Sequence, residues 1–197
     1  MVSTNGSGPG WARPSRRTLW ITGGIGVAVI VASAVVGVVL TREGVGIPGR
    51  AEPLPGLLTG PAPWGPNTDD LRARLDRLGD PLSPILQGPP FALAHLSVFA
   101  DGKRIQVPAR IGVIPKSGSV APVYTFTPGG NILKAQQITS SVHLGLFFKI
   151  WGVRFTKSCL GSYCGKLTVM VNGARVPGDP RRLILQPRQE IVVSVQR

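Results

Sequence analysis

His95-Leu96-Ser97-Val98-Phe99-Ala100-Asp101-Gly102-Lys103-Arg104-Ile105-Gln106-Val107 and Lys166-Leu167-Thr168-Val169-Met170-Val171-Asn172-Gly173-Ala174-Arg175-Val176 carry the reading of the fold. In each, alternating apolar and polar residues flank a dipeptide, Asp-Gly or Asn-Gly, that accepts the positive φ angles of a two-residue hairpin turn. Leu96–Ile105 laid over Leu167–Val176 is an internal near-repeat. It reads either as pseudo-symmetric halves or as two arrivals at the same hairpin chemistry. Between the hairpins, Val142–Trp151 predicts a short helix with Thr139, Ser140 and Ser141 as capping candidates, and Gly152–Phe155 predicts a strand. Leu183–Leu185 and Ile191–Val195 read as two closing strands across a turn at Pro187. Residues 91–197 are thus expected to form a β-rich, mainly antiparallel α+β domain with one or two short helices.

Upstream the composition changes. Ten prolines fall among the fifty residues Thr41–Pro90, and because each locks its own φ and withholds a donor, residues 42–90 predict an extended stalk. One part departs from that pattern. Asn67 and Thr68 offer an N-cap, Asp69 and Asp70 suit a first turn, and Leu71, Leu75 and Leu78 recur at helical spacing before Gly79. A short amphipathic helix is expected over residues 68–78, with its leucines on the domain and Arg72, Arg74, Asp76 and Arg77 in solvent.

Leu19–Leu40 reads LWITGGIGVAVIVASAVVGVVL, 22 residues without a charge. At about 1.5 Å per residue a helix of that length covers a hydrocarbon core of roughly 30 Å, so residues 18–41 predict a single transmembrane helix. A buried core helix would carry a polar face, and only Thr22 and Ser33 interrupt this run. A cleaved signal peptide is the rival reading, with Ala32-Ser33-Ala34 as its processing site, but Val35–Leu40 continues the apolar run beyond it. Arg13, Arg16 and Arg17 make residues 1–17 a basic cytoplasmic tail, which places the C-terminal domain outside the plasma membrane. Ser33 and Gly37 have the small-xxx-small spacing of a helix dimer seam, so a homodimer or a membrane-protein partner enters as an expectation.

Cys159 and Cys164 enclose a Gly-containing turn and predict a disulfide clasp in an exported domain. The alternative is a metal pair completed by His95 and His143, which nothing in the spacing brings together. No G-x-S-x-G, H-E-x-x-H or phosphate-binding glycine loop occurs, and residues 91–197 contain only Asp101, Asp179 and Glu190 as carboxylates. Acid–base catalysis by paired carboxylates has no material there, so neither an enzyme nor a cofactor is expected.

Trp64-Gly65-Pro66-Asn67-Thr68, His95–Lys103, Val107–Val113, Leu144–Val153, the Cys159–Cys164 loop and Gly178-Asp179-Pro180 running on to Gln189–Val193 resemble uncharacterised membrane-anchored exported actinobacterial proteins. The resemblance covers Trp64 to the C-terminus. That family's first strand looks like H-x-H-x-H-L, its middle segment like L-H-T-H-D-x-S-G-x-I-H-V-E, and a further histidine precedes its last strand. Such a set implies metal binding, with Cu or Zn the natural ions. In this chain only His95 stands at one of those positions. Phe91 and Leu93 occupy the others in the first strand, Tyr124, Phe126 and Leu133 those in the middle segment, and Arg188 the last, while Thr127 and Ala135 replace the acidic positions. The resemblance therefore implies the fold and location without a metal site, and an apolar pocket of Phe91, Leu93, His95, Tyr124, Phe126 and Leu133 in its place.

The chain's net charge is +13. Residues 1–17 carry +3, residues 18–90 carry −1 and residues 91–197 carry +11. The excess falls on the exported domain, where anionic envelope polymers or lipid headgroups are the polyanions at hand and nucleic acid is not. Lys103, Arg104, Arg110, Lys149, Arg154, Lys157, Arg181, Arg182 and Arg188 are the candidate anion-binding surface; the plain alternative is solubilising charge spread around the domain. The expected function is a non-catalytic extracytoplasmic binding or interaction module. Its alternatives are a divergent metal-binding exported protein and a structural subunit of a membrane complex.

Overall fold

Both hairpins form as their turn dipeptides dictate. In the computed structural model, which describes residues 52–85 and 91–197, β2 (Phe91–Ala100) returns through Asp101 and Gly102 to β3 (Lys103–Ile105). In the same way β10 (Lys166–Val171) returns through Asn172 and Gly173 to β11 (Ala174–Arg175). All four turn residues have positive φ, from 47° to 83°, as a type I′ turn requires. The span expected over residues 19–40 and the basic tail lie outside the described residues, and among the described residues no helix is long and apolar enough to cross a membrane.

The remaining strands are β1 (Ser83–Pro84), β4 (Val113–Ile114), β5 (Ser119–Val120), β6 (Val123–Tyr124), β7 (Asn131–Lys134), β8 (Cys159–Leu160), β9 (Tyr163–Cys164) and β12 (Gln189–Gln196). The main sheet runs β11-β10-β12-β2-β7-β6. Along the free edge of β2, β7 pairs with its first half and β3 with its second. One closing strand forms rather than two. β12 is inserted between the hairpins, antiparallel to β10 and parallel to β2 with Gln189 opposite Ala94 and Val195 opposite Ala100. Leu183–Leu185 is not a strand; Pro180–Arg182 before it is a single 3-10 turn, and Ile184 makes one isolated bridge to His143. The segment after the second helix likewise contributes only isolated bridges, from Val153 to Leu58 and from Phe155 to Leu160.

Period-two alternation buries Leu96, Val98 and Ala100 of β2, Val169 of β10 and Ile191, Val193 and Val195 of β12 on one face. Helix α2 (Leu144–Trp151) joins the same core through Phe147, Phe148, Ile150 and Trp151, leaving Lys149 exposed. Its N-terminus is not capped by Thr139, Ser140 or Ser141. His143 occupies the cap position without a side-chain bond, and the Leu144 N–H donates to the Leu183 carbonyl at 2.8 Å. A tertiary acceptor thus does what a capping side chain does in an isolated helix.

The stalk reading needs the largest correction, because residues 52–85 are part of the domain. Trp64, Leu71 and Leu75 are core residues. The Leu58 N–H donates to the Gly152 carbonyl at 2.6 Å, and the Trp151 indole donates to the Gly65 carbonyl at 2.8 Å. β1 adds to a small sheet of order β1-β5-β4. Helix α1 spans Leu71–Leu78, starting three residues later than expected. Asn67 is unavailable as a cap, since its side-chain amide donates to the Gly56 carbonyl at 2.7 Å.

Arg74 was expected in solvent, yet it is fully buried. Its guanidinium donates to the Pro55 and Ile150 carbonyls, each at 3.2 Å, and to the Asn67 carbonyl. Ile150 lies in the last turn of α2, where a cation is favoured by the helix dipole and by the carbonyls left without intrahelical partners. Gly152, left-handed at φ 76°, ends α2, and a Cβ there would lie 3.0 Å from the Arg74 guanidinium carbon. A glycine at the helix end therefore both turns the chain and admits the arginine.

Candidate functional site: a cationic groove over an apolar floor

A groove of about 570 Å³ opens between α2, the Pro180–Arg182 turn and the Leu54–Leu57 segment. That volume is within the range of small-molecule sites, roughly 300–1,000 Å³. Its floor is apolar. Phe148 and Phe155 stack with centroids 4.2 Å apart and, with Val153, are buried core residues beneath it, while Leu54, Leu57 and Leu146 line it from the sides. The three leucines are half-buried, so part of each faces the opening.

Its rim is cationic. Lys149, Arg154, Arg181 and Arg182 line the groove, with Asp179 the one carboxylate in its lining among the described residues. Lys149 projects from α2, whose other residues are mostly turned inward. Arg181 and Arg182 reach the groove because their turn lies directly on α2 at Gly145. A Cβ at that position would come within 2.7 Å of the Arg181 carbonyl oxygen, a contact that only glycine avoids. Arg181 holds Asp179 through a two-pronged ion pair, Nη2 to Oδ2 at 2.7 Å and Nε to Oδ1 at 2.9 Å. These hydrogen bonds hold the Asp179 carboxyl down at about 2. With Asp179 committed to Arg181 and Asp80 acting on Lys149 from nearby, the four rim cations still outnumber the carboxylates that face them among the described residues.

Arg154 is set differently. Its backbone N–H donates to the Leu58 carbonyl at 3.0 Å and its carbonyl accepts from Gly161, fixing it between the Leu58 segment and the β8–β9 hairpin. Nη2 contacts the Cys164 sulfur, and Nε is buried with no hydrogen-bond partner. No carboxylate pairs with Arg154 among the described residues, where the ion pairs are Arg77–Glu52, Arg181–Asp179 and Arg197–Asp101. A partly desolvated guanidinium without a counter-charge is an anion-seeking group. The Cys159–Cys164 disulfide forms, joining opposed residues of β8 and β9 with Cα atoms 4.1 Å apart.

The structure thus gathers four of the nine candidate cations and disperses the rest. Lys157 is close enough to Asp179 to help lower its carboxyl but lines a separate groove beside Val169 and Val176. Lys103 and Arg104 border another, with Pro63 and Tyr163. Arg110 and Arg188 are exposed loop residues with φ 63° and 66°.

The expected apolar pocket is instead filled. Leu93 belongs to the main core, while Tyr124 and Leu133, paired across β6 and β7, belong to a second cluster with Val113, Val120 and Ala135. The Phe126 ring covers Tyr124 edge-on at 5.0 Å, and burial raises the Tyr124 hydroxyl above its ordinary value. Phe91 is exposed, and His95 bonds Asn131 across the strands at 3.0 Å. His143 sits at the start of α2, on the groove.

Leu54 and Leu57 were missed as site residues because the prolines around them read as a stalk. The signal was present: Pro53-Leu54-Pro55-Gly56-Leu57-Leu58 places three leucines in six residues, more apolar surface than a solvated tether carries.

No protein-family model, no curated protein and no solved structure matches this chain.

Proposed function

We propose that this protein is a non-catalytic binding module on the outer face of the plasma membrane, and that it binds phosphate- or carboxylate-bearing envelope components at the groove. One observation carries the reading: Lys149, Arg154, Arg181 and Arg182 converge on one opening, and the one carboxylate among its described lining residues, Asp179, is already paired. Charge serving solubility alone would be spread without such a focus. A low-dielectric floor beneath the cations strengthens their field at the opening.

Titration of polyphosphate into the full chain, reconstituted in phosphatidylcholine discs, tests this over a salt series. Affinity is expected to fall steeply with ionic strength as the screening length shortens from about 10 Å at 0.1 M to about 3 Å at 1 M. Lys149→Gln combined with Arg182→Gln, both exposed positions, is expected to weaken binding by about tenfold, from roughly 0.7 kcal/mol per exposed cation. Salt-independent affinity, or a double variant that binds like wild type, refutes the reading.

A further inference from the structure

The Arg154 guanidinium ends on a sulfur rather than on a carboxylate. Its Nη2 contacts Cys164 Sγ, its Nε is buried without a hydrogen-bond partner, and none of the ion pairs among the described residues includes it. A disulfide sulfur is neutral and a weak acceptor, whereas a thiolate carries the charge that a guanidinium seeks. We infer that Cys159–Cys164 is a reversible dithiol–disulfide site that exchanges with low-molecular-weight thiols, with Cys164 as the reacting sulfur and Cys159 as its resolving partner; the inference is independent of anion binding at the groove.

Accessibility divides the pair: Cys164 is exposed and Cys159 half-buried, so an external thiol meets Cys164 first. Charge favours the same sulfur. Residues 154–166 carry Arg154, Lys157 and Lys166 and no acid. The carboxylates that approach from neighbouring elements are already engaged. Arg197 lies over the Tyr163 ring at 4.6 Å and pairs with Asp101 at 3.2 Å, while Asp179, which acts on Lys157, is held by Arg181. Cationic surroundings of this kind favour the thiolate, the form that reacts. The hairpin is also held without its disulfide. The Gly161 N–H donates to the Arg154 carbonyl at 2.8 Å, the Ser162 N–H to the Gly60 carbonyl at 3.0 Å and the Gly165 N–H to the Ser158 carbonyl at 2.8 Å, and Leu160 is fully buried in the core. These contacts keep the cysteines opposite one another after reduction, so the bond can re-form. In the exchange, an external thiolate RS⁻ bonds to the Cys164 sulfur, the Cys159–Cys164 bond breaks, and Cys159 leaves as a thiolate that takes up a proton. A second RS⁻ then attacks the R sulfur of the mixed disulfide, R–S–S–R departs, and Cys164 is released as the thiolate that Arg154 pairs. Two electrons pass from two thiols to the protein, and the second thiol's proton goes to solvent; an external disulfide runs the same steps in reverse.

The test uses the full chain in phosphatidylcholine discs with oxidised glutathione as the probe. Mass spectrometry after acid quenching is expected to find glutathione on Cys164 in Cys159→Ser and several-fold less on Cys159 in Cys164→Ser. Alkylation of Cys159→Ser by iodoacetamide is expected to show a pH midpoint below the ordinary thiol value of about 8.5. Adding Arg154→Gln should raise that midpoint by about one pH unit, whereas Arg154→Lys, which keeps the charge, should leave it low. Wild-type chain treated with reduced glutathione should keep its near-ultraviolet dichroism and regain the disulfide when the thiol is replaced by oxidised glutathione. Equal labelling of the two cysteines, a midpoint at or above 8.5, a midpoint that Arg154→Gln does not move, or loss of dichroism on reduction overturns the exchange site and leaves a structural clasp. The labelling comparison requires no change at Arg154, so it decides the question even where Arg154→Gln fails to fold.

Discussion

Arg74 shows how one residue can tie distant parts of a chain. Its fork holds a carbonyl from the segment before α1, one from the Asn67 turn and one from the end of α2, and burial pulls the guanidinium below its ordinary value, opposed by Asp70. Arg74→Met leaves those buried carbonyls without a donor and is expected to cost about 3 kcal/mol, read as a lower denaturation midpoint. Arg74→Lys retains the charge but not the planar fork and should recover less than half of that loss. Asp179 provides a second test at this scale. Its carboxyl lies at about 2 against an ordinary 3.8, so its contribution to stability is complete above about pH 4 and disappears as the pH falls towards 2. Asp179→Asn should flatten the acid limb of the stability profile over that window. At neutral pH it frees Arg181 and should tighten polyphosphate binding, a result opposite in sign to that of the lysine and arginine variants.

At the scale of elements, the most exacting contact is that between α2 and the Pro180–Arg182 turn. Gly145→Ala places a methyl against a backbone carbonyl that has no rotamer to move, and is expected to cost about 1–3 kcal/mol and to displace Arg181 and Arg182 from the rim. Thermal unfolding and polyphosphate titration of the same variant check both effects. The β8–β9 clasp is a smaller matter. Its disulfide closes a loop of six residues, Cys159 to Cys164, for which chain entropy predicts roughly 2 kcal/mol. The double serine variant should remain folded with a correspondingly lower midpoint.

For the whole molecule, the boundary of the domain decides what can fold. A chain beginning at Phe91 would lack Trp64, Leu71 and Leu75 from the core and Arg74 from the end of α2. Burying one large aromatic and two leucines contributes roughly 5–8 kcal/mol, comparable to the net stability of a small domain. Residues 91–197 alone are therefore expected to give weak near-ultraviolet dichroism and to aggregate, whereas a chain beginning at Pro48 should unfold cooperatively; native dichroism from the shorter chain would contradict the packing assigned to residues 52–85.

Both hairpins, their turns, the α2 register and the disulfide were legible in the sequence because each depends on residues within about a dozen positions of one another. Asp-Gly and Asn-Gly choose a turn by their own backbone preferences, and alternation chooses a face. Arg74 was legible too, had the stripe been counted in full: Leu71, Arg74, Leu75 and Leu78 fall at i, i+3, i+4 and i+7, so the arginine lies among the leucines. What no local pattern contained was the partner of each element. Insertion of β12 parallel to β2, capping of α2 by the Leu183 carbonyl, and wrapping of a proline-rich segment onto the core all join residues far apart in the chain. The charge excess belonged to the sequence, but its focus did not. Lys149, Arg154, Arg181 and Arg182 meet over an apolar floor only because Gly145 lets one turn lie on a helix and Arg74 holds the opposite wall, and such contacts exist only once the chain has packed.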